Sequence, residues 1–214
     1  MHPNSAMLFQ KYAKPFFKSG LRILEIGPDG FPSTYKRLVN DTSLIWDTLD
    51  LYESPQLTYS KSNEYSFEIP DASYNIVLSG QVVEHVKKPW IWIKELARVT
   101  KPEGLVITIN PVSWDYHESP IDCWRIYPEG MKALYQEADL TVLFSTFESM
   151  ETPRYRRFLP GRSIENQSSK KRIYYRILGE FGLPVERAYD TITIGIKKDG
   201  NEQSAAAGNT PCRR

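Results

Sequence analysis

Residues 21–27, LRILEIG, form a short apolar run that stops on a glycine. A run of this length without alternation reads as a buried strand, and the glycine as the turn into which it runs. Five further runs are of the same kind: 44–51 (LIWDTLDL), 74–79 (YNIVLS), 105–109 (LVITI), 140–147 (LTVLFSTF) and 190–196 (DTITIGI). Helical spacing lies between them. In 89–99, Trp92, Leu96 and Val99 fall at i, i+4 and i+7, with Pro89 in the first turn and Pro102 beyond the end. In 128–138, Met131, Leu134, Tyr135 and Ala138 fall at i, i+3, i+4 and i+7 after Pro128. Strands that alternate with helices predict an α/β fold with a mostly parallel sheet.

Two regions break this rhythm. The first 20 residues read as a lead-in helix with aromatic contacts. Residues 149–188 are too long for a turn between the last two strands. They read as an insertion, with a helix at about 169–178 (Ile173, Tyr174, Ile177, Leu178) stopped by Gly179, Gly182 and Pro184. A chain of 214 residues gives one domain at the usual ~100–200 residues per domain, here 1–198, followed by a small polar tail, 199–214, expected to be disordered.

Composition narrows the function classes. The formal charge is +1, which excludes a globally basic nucleic-acid coat. The charge is uneven, however. Residues 154–176 hold eight basic side chains against Glu165, or +7, and the remainder is −6. Such a patch suits a local anionic partner, and equally a solvated surface. Cys123 and Cys212 cannot make a disulfide framework or a four-ligand zinc site by themselves. No apolar run reaches ~18 residues and the start does not read as a signal peptide, so a soluble cytoplasmic protein is expected.

In an open α/β sheet the ligand crevice lies at the carboxyl ends of the strands. The first strand delivers Glu25-Ile26-Gly27-Pro28-Asp29-Gly30 there, and Asp50 follows 23 residues after Gly27. A carboxylate at that distance can accept hydrogen bonds from the 2′- and 3′-hydroxyls of a ribose, so a dinucleotide has to be considered. The dinucleotide pattern G-x-G-x-x-G needs glycine where this chain has Asp29 and Pro32. Asp29 would also repel a pyrophosphate. The loop suits a phosphate-free nucleoside with a positive end.

These residues resemble a class I S-adenosylmethionine-dependent methyltransferase. ILEIGPDG is similar to the family's first motif, with Glu25 as its acid and Gly27 as its first glycine, while Pro28-Asp29-Gly30 departs from the fuller glycine pattern. LDLYES places Asp50 as the ribose acid beside Leu51. SNEYSFEIPDASYNIVLSGQVVEHV resembles the stretch from the adenine loop to the fourth strand. Asn63 there takes the place of a common aspartate, next to Glu64, and Ser79, Gly80 and Gln81 would lie beside the methionine part. KELARVTKPEGLVITI is similar to the helix, turn and fifth strand that follow. The resemblance covers about residues 21–147. It implies a Rossmann-like, mostly parallel seven-stranded sheet flanked by helices, with the insertion between the last two strands. It also implies S-adenosyl-L-methionine as cofactor.

The acceptor would sit after the fifth strand. There, NPVSWDYHESPIDCWRIYPEG resembles an H-x-x-P-x-D-x-W-R-x-x-P-x-G pattern of a methyltransferase subgroup associated with sugar and surface-polysaccharide modification. His117, Pro120, Asp122, Trp124, Arg125, Pro128 and Gly130 all match it. An imidazole titrates near ~6.5 and can act as a base at neutral pH. His117 is the first candidate for that role, Asp122 for orienting it, and His85 of Glu84-His85 is a further candidate. Trp114, Tyr116 and Trp124 could pack on a sugar ring, and equally on each other, with Arg125 tying the loop down. Asp115, His117, Glu118 and Asp122 show no diagnostic metal spacing, so no metal is assigned.

The expected function is therefore O-methylation of a small-molecule or carbohydrate hydroxyl. Two alternatives stay open: an N-methyltransferase acting on RNA or protein through the basic insertion, and an inactive cofactor-binding partner subunit.

Overall fold

A computed structural model of the chain describes residues 3–60, 62–114, 116–117, 120–151, 173, 177 and 188–199. The basic segment 154–176 and the helix expected at 169–178, apart from Ile173 and Ile177, lie outside the described residues. So do Asp115, Glu118 and the tail from 200 on, including Cys212.

The chain opens with α1 (Pro3–Leu8), which runs on through two irregular turns to Phe16. Phe9 of this segment packs on Phe17 and Tyr35, as the aromatic lead-in predicts. The regular alternation then follows: β1 (Arg22–Ile26), α2 (Thr34–Val39), β2 (Ile45–Leu49), β3 (Tyr74–Gly80), α3 (Pro89–Val99), β4 (Thr100–Pro111), α4 (Pro128–Glu137), β5 (Leu140–Glu148) and β6 (Asp190–Lys197). One sheet takes all six strands in the order β2-β1-β3-β4-β6-β5. Pairings among β2, β1, β3 and β4 are parallel, and β6 runs antiparallel to both its neighbours.

Six strands, not the expected seven, are found among the described residues. Beyond β2, where a further edge strand would pair, there is a single parallel bridge between Leu49 and Tyr59. Tyr59 donates its N–H to Thr48 O and accepts that of Asp50. The segment 51–60 is a series of turns and bends, and Pro55 removes one of the donors that a ladder needs.

Alternation along the strands sorts side chains to two faces. Leu24, Ile26, Val77 and Val106 pack under α3 and α4 with Trp92, Leu96, Met131 and Tyr135. Ile23, Ile76, Leu78, Ile107, Ile192 and Ile194 pack against the N-terminal segment and Tyr35 of α2. The helix α3 has the bounds its spacing predicts, with Pro89 at its start. Its last carbonyls are capped by Lys197, whose Nζ donates to Ala97 O and Thr100 O at 2.8 Å each. The strand β4 begins five residues before the apolar run. Thr100 already pairs with Tyr74, and Glu103, at φ 61°, lies in the offset before Leu105 pairs with Ile76.

Candidate active site

The strand order reverses direction between β1 and β3, and in sheets of this type the crevice opens at that point. A cavity lies there, lined by Gly27 from the end of β1, Asp50 from the end of β2 and Gln81–Val82 from the end of β3. Ile26, Leu49, Phe67, Val86 and Trp92 give it apolar walls, and Leu51, Tyr52, Glu64, His85 and Pro120 complete it. Gly27 has φ +67°, a conformation that L side chains rarely adopt, and a Cβ there would stand 2.5 Å from Val82 Cγ2. Only glycine lets the two strand ends approach this closely.

Asp50 has its described hydrogen bonds on one oxygen: Oδ1 accepts from Leu51 N at 2.7 Å and Tyr52 N at 3.4 Å. Glu64 Oε1 accepts from Lys87 N at 3.3 Å. The cavity therefore carries two carboxylates, and no lysine or arginine is among its described lining residues. Burial, and the neighbouring His117, lower the pKa of His85, so it adds no charge at neutral pH. Among the described lining residues a pyrophosphate would find no counter-charge. A phosphate-free nucleoside with a cationic end would meet apolar walls and carboxylates.

Five of the ten residues expected around a nucleoside line this cavity: Gly27, Asp50, Leu51, Glu64 and Gln81. Glu25, Pro28, Asn63, Ser79 and Gly80 are not among the described lining residues. Glu25 shares the face of Ile23, opposite the cavity. Its Oε2 accepts from Ser33 Oγ at 2.5 Å and from Trp46 Nε1 at 2.8 Å, and burial pushes its pKa up to about 7. It ties the start of α2 to β2. Gly80 is on that face too, where a Cβ would stand 2.1 Å from the Tyr35 hydroxyl. Asn63 Oδ1 accepts from Tyr65 N inside its own turn. Ser79 is buried at the end of β3, and its Oγ has no hydrogen-bond partner among the described residues. Asp29 accepts from Thr34 N and Thr34 Oγ1 at the head of α2.

His117, His85 and Asp122 come together beside this cavity. The His85 and His117 rings meet edge to face with centroids 5.0 Å apart. Asp122 Oδ2 lies 3.3 Å from His117 Nδ1 and accepts from His117 N at 3.0 Å. Both oxygens of Asp122 also accept from the Arg125 guanidinium. Burial opposes ionisation of Asp122, but Arg125 and His117 outweigh it and hold the pKa below the usual carboxylate value. A carboxylate facing Nδ1 favours the tautomer that carries its hydrogen there.

A second depression is lined by Trp114, Tyr116, Asp122, Cys123, Trp124 and Arg125, which includes all four residues expected to bind an acceptor. Trp124 donates from Nε1 to Val86 O at 2.8 Å, and its ring meets Trp90 edge to face at 6.3 Å. Arg125 donates to Trp114 O from Nε at 3.3 Å. Cys123 N and Trp124 N both donate to Glu84 O, at 2.7 and 3.3 Å. The turn that walls the first cavity thus carries the loop that lines the second. Asp122 lines the second depression and His85 the first, so the histidine pair joins the two.

Sequence reasoning missed several residues. Ser33 carries a legible signal, a hydroxyl residue just before a helix, and it caps α2 by accepting from Lys36 N at 3.1 Å. Trp46, Phe67, Val82 and Val86 carry none, because an apolar residue near a strand end looks the same in a core and in a ligand wall. Among the described residues no group of acids, histidines and cysteines could hold a metal ion, and no helix is long and apolar enough to cross a membrane.

Residues 42–108 match the family described as a methyltransferase domain. An uncharacterised methyltransferase of Mycobacteroides abscessus is 40% identical over 55 residues, which cover 26% of this chain and 21% of that protein. One from Mycolicibacterium vanbaalenii is 29% identical over 99 residues, covering 42% and 39%. The chain thus spans between about a fifth and two fifths of the length of these curated relatives. Among solved structures, a SAM-dependent methyltransferase from Archaeoglobus fulgidus aligns with a TM-score of 0.57 at 17% identity, over 90% of this chain and 92% of that one. Phosphoethanolamine N-methyltransferase 2 of Haemonchus contortus, in complex with S-adenosyl-L-methionine, gives 0.57 at 14%, over 91% and 52%. The [4+2]-cyclase SpnF gives 0.60 at 16%, over 92% and 81%. What these chains share with this one is the fold, a Rossmann-like sheet common to methyltransferases and at least one enzyme named for another reaction.

Proposed function

We propose that the chain is an S-adenosylmethionine-dependent methyltransferase that transfers a methyl group to a hydroxyl of a small-molecule or carbohydrate acceptor. The observation that carries this reading is the histidine pair, which joins an apolar cavity carrying two carboxylates to an aromatic depression. The first cavity fits the cofactor on three counts: the close approach at Gly27, the half-used carboxylate of Asp50, and the lack of basic lining among the described residues.

Asp50 would hold the ribose hydroxyls through Oδ2, while Phe67, Val82, Val86 and Trp92 exclude water from the adenosyl group. S-adenosylmethionine supplies an activated methyl on a cationic sulfur, so the protein need not activate a leaving group. What remains is to hold the acceptor in line and take its proton. His117 would take that proton at Nε2, while the methyl group would pass from the sulfur, left as a neutral thioether, to the acceptor oxygen. Asp122 keeps the Nδ1–H tautomer and stabilises the imidazolium, and Arg125 fixes Asp122 in turn. Trp114, Tyr116 and Trp124 offer ring faces and edges to the C–H faces of a sugar.

Two measurements test this reading. Calorimetry should show binding of adenosylhomocysteine and none of NADH; the reverse result overturns the cofactor assignment. Incubation with labelled cofactor and a panel of glycans, small alcohols and nucleotides should label a hydroxyl. Labelling of an RNA or protein nitrogen instead would favour the alternative built on the basic segment, and cofactor binding without transfer to any acceptor would favour a partner subunit.

A further inference from the structure

The Glu84 side chain has no part in the roles given so far. Glu84 is the middle residue of the turn Val83–His85, and only 1% of its surface is exposed. Its Oε2 has no hydrogen-bond partner among the described residues, and its Oε1 lies 3.8 Å from His85 Nε2. Among the described residues, the charged groups that act on it besides His85 are Asp122 and Arg125 from the loop before α4, and Asp190 from the start of β6, while its own backbone N–H favours the charged form. Two of these are acids, and the one cation, Arg125, donates to Asp122. A carboxylate at this position would be buried beside two like charges. Burial pushes its pKa up to about 8, so at neutral pH the group is a carboxylic acid with one O–H to donate.

The partner for that O–H is set by His85. Its Nδ1 lies within hydrogen-bonding distance of Ile121 O. A carbonyl only accepts, so Nδ1 carries the hydrogen and, in the neutral ring, Nε2 carries a bare lone pair. Nε2 is the ring nitrogen that stands 3.8 Å from Glu84 Oε1. A movement of about 1 Å by the terminal carboxyl brings the two atoms to hydrogen-bond distance.

We propose that Glu84 is a positioning residue: as a neutral acid it donates to His85 Nε2, which locks His85 in the Nδ1–H tautomer and, through Ile121 O, holds the loop that carries Asp122 and His117. The chain of bonds runs in one direction, from Glu84 O–H to His85 Nε2 and from His85 Nδ1–H to Ile121 O. Ionisation of Glu84 reverses the first link. A carboxylate can only accept, so His85 must turn an N–H towards it, as the Nε2–H tautomer or as imidazolium. The Nε2–H tautomer gives up the bond to Ile121.

Only the consequence for turnover rests on the proposed function; the tautomer needs no acceptor and is read directly. Nitrogen-15 NMR of histidine-labelled full chain, with His2→Gln and His117→Gln variants for assignment, should show His85 neutral with Nδ1 protonated at pH 7. Between pH 7 and 9.5 its nitrogen shifts should change with a midpoint near that of Glu84. In Glu84→Gln the amide donates at every pH, and the change should disappear. Nε2 protonation at pH 7, or the same transition in Glu84→Gln as in the parent protein, overturns the proposal. If Glu84→Gln does not fold, the parent titration alone decides: no change in His85 up to pH 9.5 overturns it. In turnover, Glu84→Gln should move the alkaline limb of the kcat profile up by at least about one pH unit. A protein that shows the tautomer change but transfers no methyl group bears out this inference and overturns the function proposed above.

Discussion

His117 Nδ1 stands 3.3 Å from Asp122 Oδ2, and the same carboxylate is gripped by the Arg125 guanidinium. The imidazole is thus oriented by a group that is itself held, and the side chain of Asp122 is only 2% exposed. An acid placed this way steadies an imidazolium without taking its proton.

Replacing His117 by Gln removes the proton acceptor and keeps much of the volume. Turnover should fall by roughly 10²–10⁴, the usual contribution of a general base, while adenosylhomocysteine affinity stays within about twofold. Near-normal turnover rules out His117 as base.

Asp50→Asn keeps Oδ1 for the two backbone N–H groups and takes away the charge. Hydrogen bonds to a charged group contribute about 1.5–3 kcal/mol, so adenosylhomocysteine should bind roughly 10- to 100-fold more weakly. The melting temperature should hardly move. Unchanged affinity in calorimetry would remove Asp50 from the site.

Gly27→Ala places a methyl 2.5 Å from Val82 Cγ2 on a backbone at φ +67°. The left-handed conformation alone costs about 1–2 kcal/mol for an L residue, and Val82 must also give way. A fall in melting temperature of roughly 3–8 °C is expected, together with weaker nucleoside binding. A variant as stable as the parent would show that the turn is looser than its geometry.

Glu25 makes stability depend on pH with a definite sign. The unfolded chain ionises this group near 4.5, whereas burial in the folded state holds the proton up to about 7, although Ser33 and Trp46 oppose that rise. Between these values the folded state binds more protons, so its stability falls as pH rises, by up to about 1.4 kcal/mol per pH unit. Glu25→Gln should reduce the slope of urea-unfolding free energies at pH 5, 6 and 7 and leave the part that Glu84 contributes. An unaltered slope means that Glu25 titrates normally.

Helix α3 was legible to the residue, because Pro89 marks its first turn and Trp92, Leu96 and Val99 mark one face. The strand centres were equally plain, since each is a short apolar run and those of β1, β3, β4 and β6 are covered on both faces. The start of β4 was hidden: Thr100, Lys101 and Pro102 look like a turn, and only their neighbour Tyr74 makes them part of a strand. For the site, the ends of β1, β2 and β3 could be placed from Gly27, Asp50 and Gln81. The side of the sheet that each residue faces was harder. Glu25 lies next to Ile26 in sequence, yet strand alternation sends it to the opposite face, where Ser33 and Trp46 take both described bonds. Asn63 and Glu64 differ in the same way, as the turn uses the amide and leaves the neighbouring acid to the cavity. The meeting of His85 with His117 could not be read from spacing at all. It depends on Glu84 O and Ile121 O, backbone atoms that no side-chain pattern encodes.

The two hydrogen bonds on Glu84 O, from Cys123 and Trp124, restrict how this scaffold can diversify. On the function proposed above, backbone rearrangement there would disturb the cofactor cavity and the acceptor depression together. On that reading, new acceptor preferences are more accessible by exchanging Trp114 or Tyr116, which line the depression and make neither of those two bonds. Related enzymes that differ in what they modify should vary at those two aromatic positions while keeping the path of the chain through 121–124.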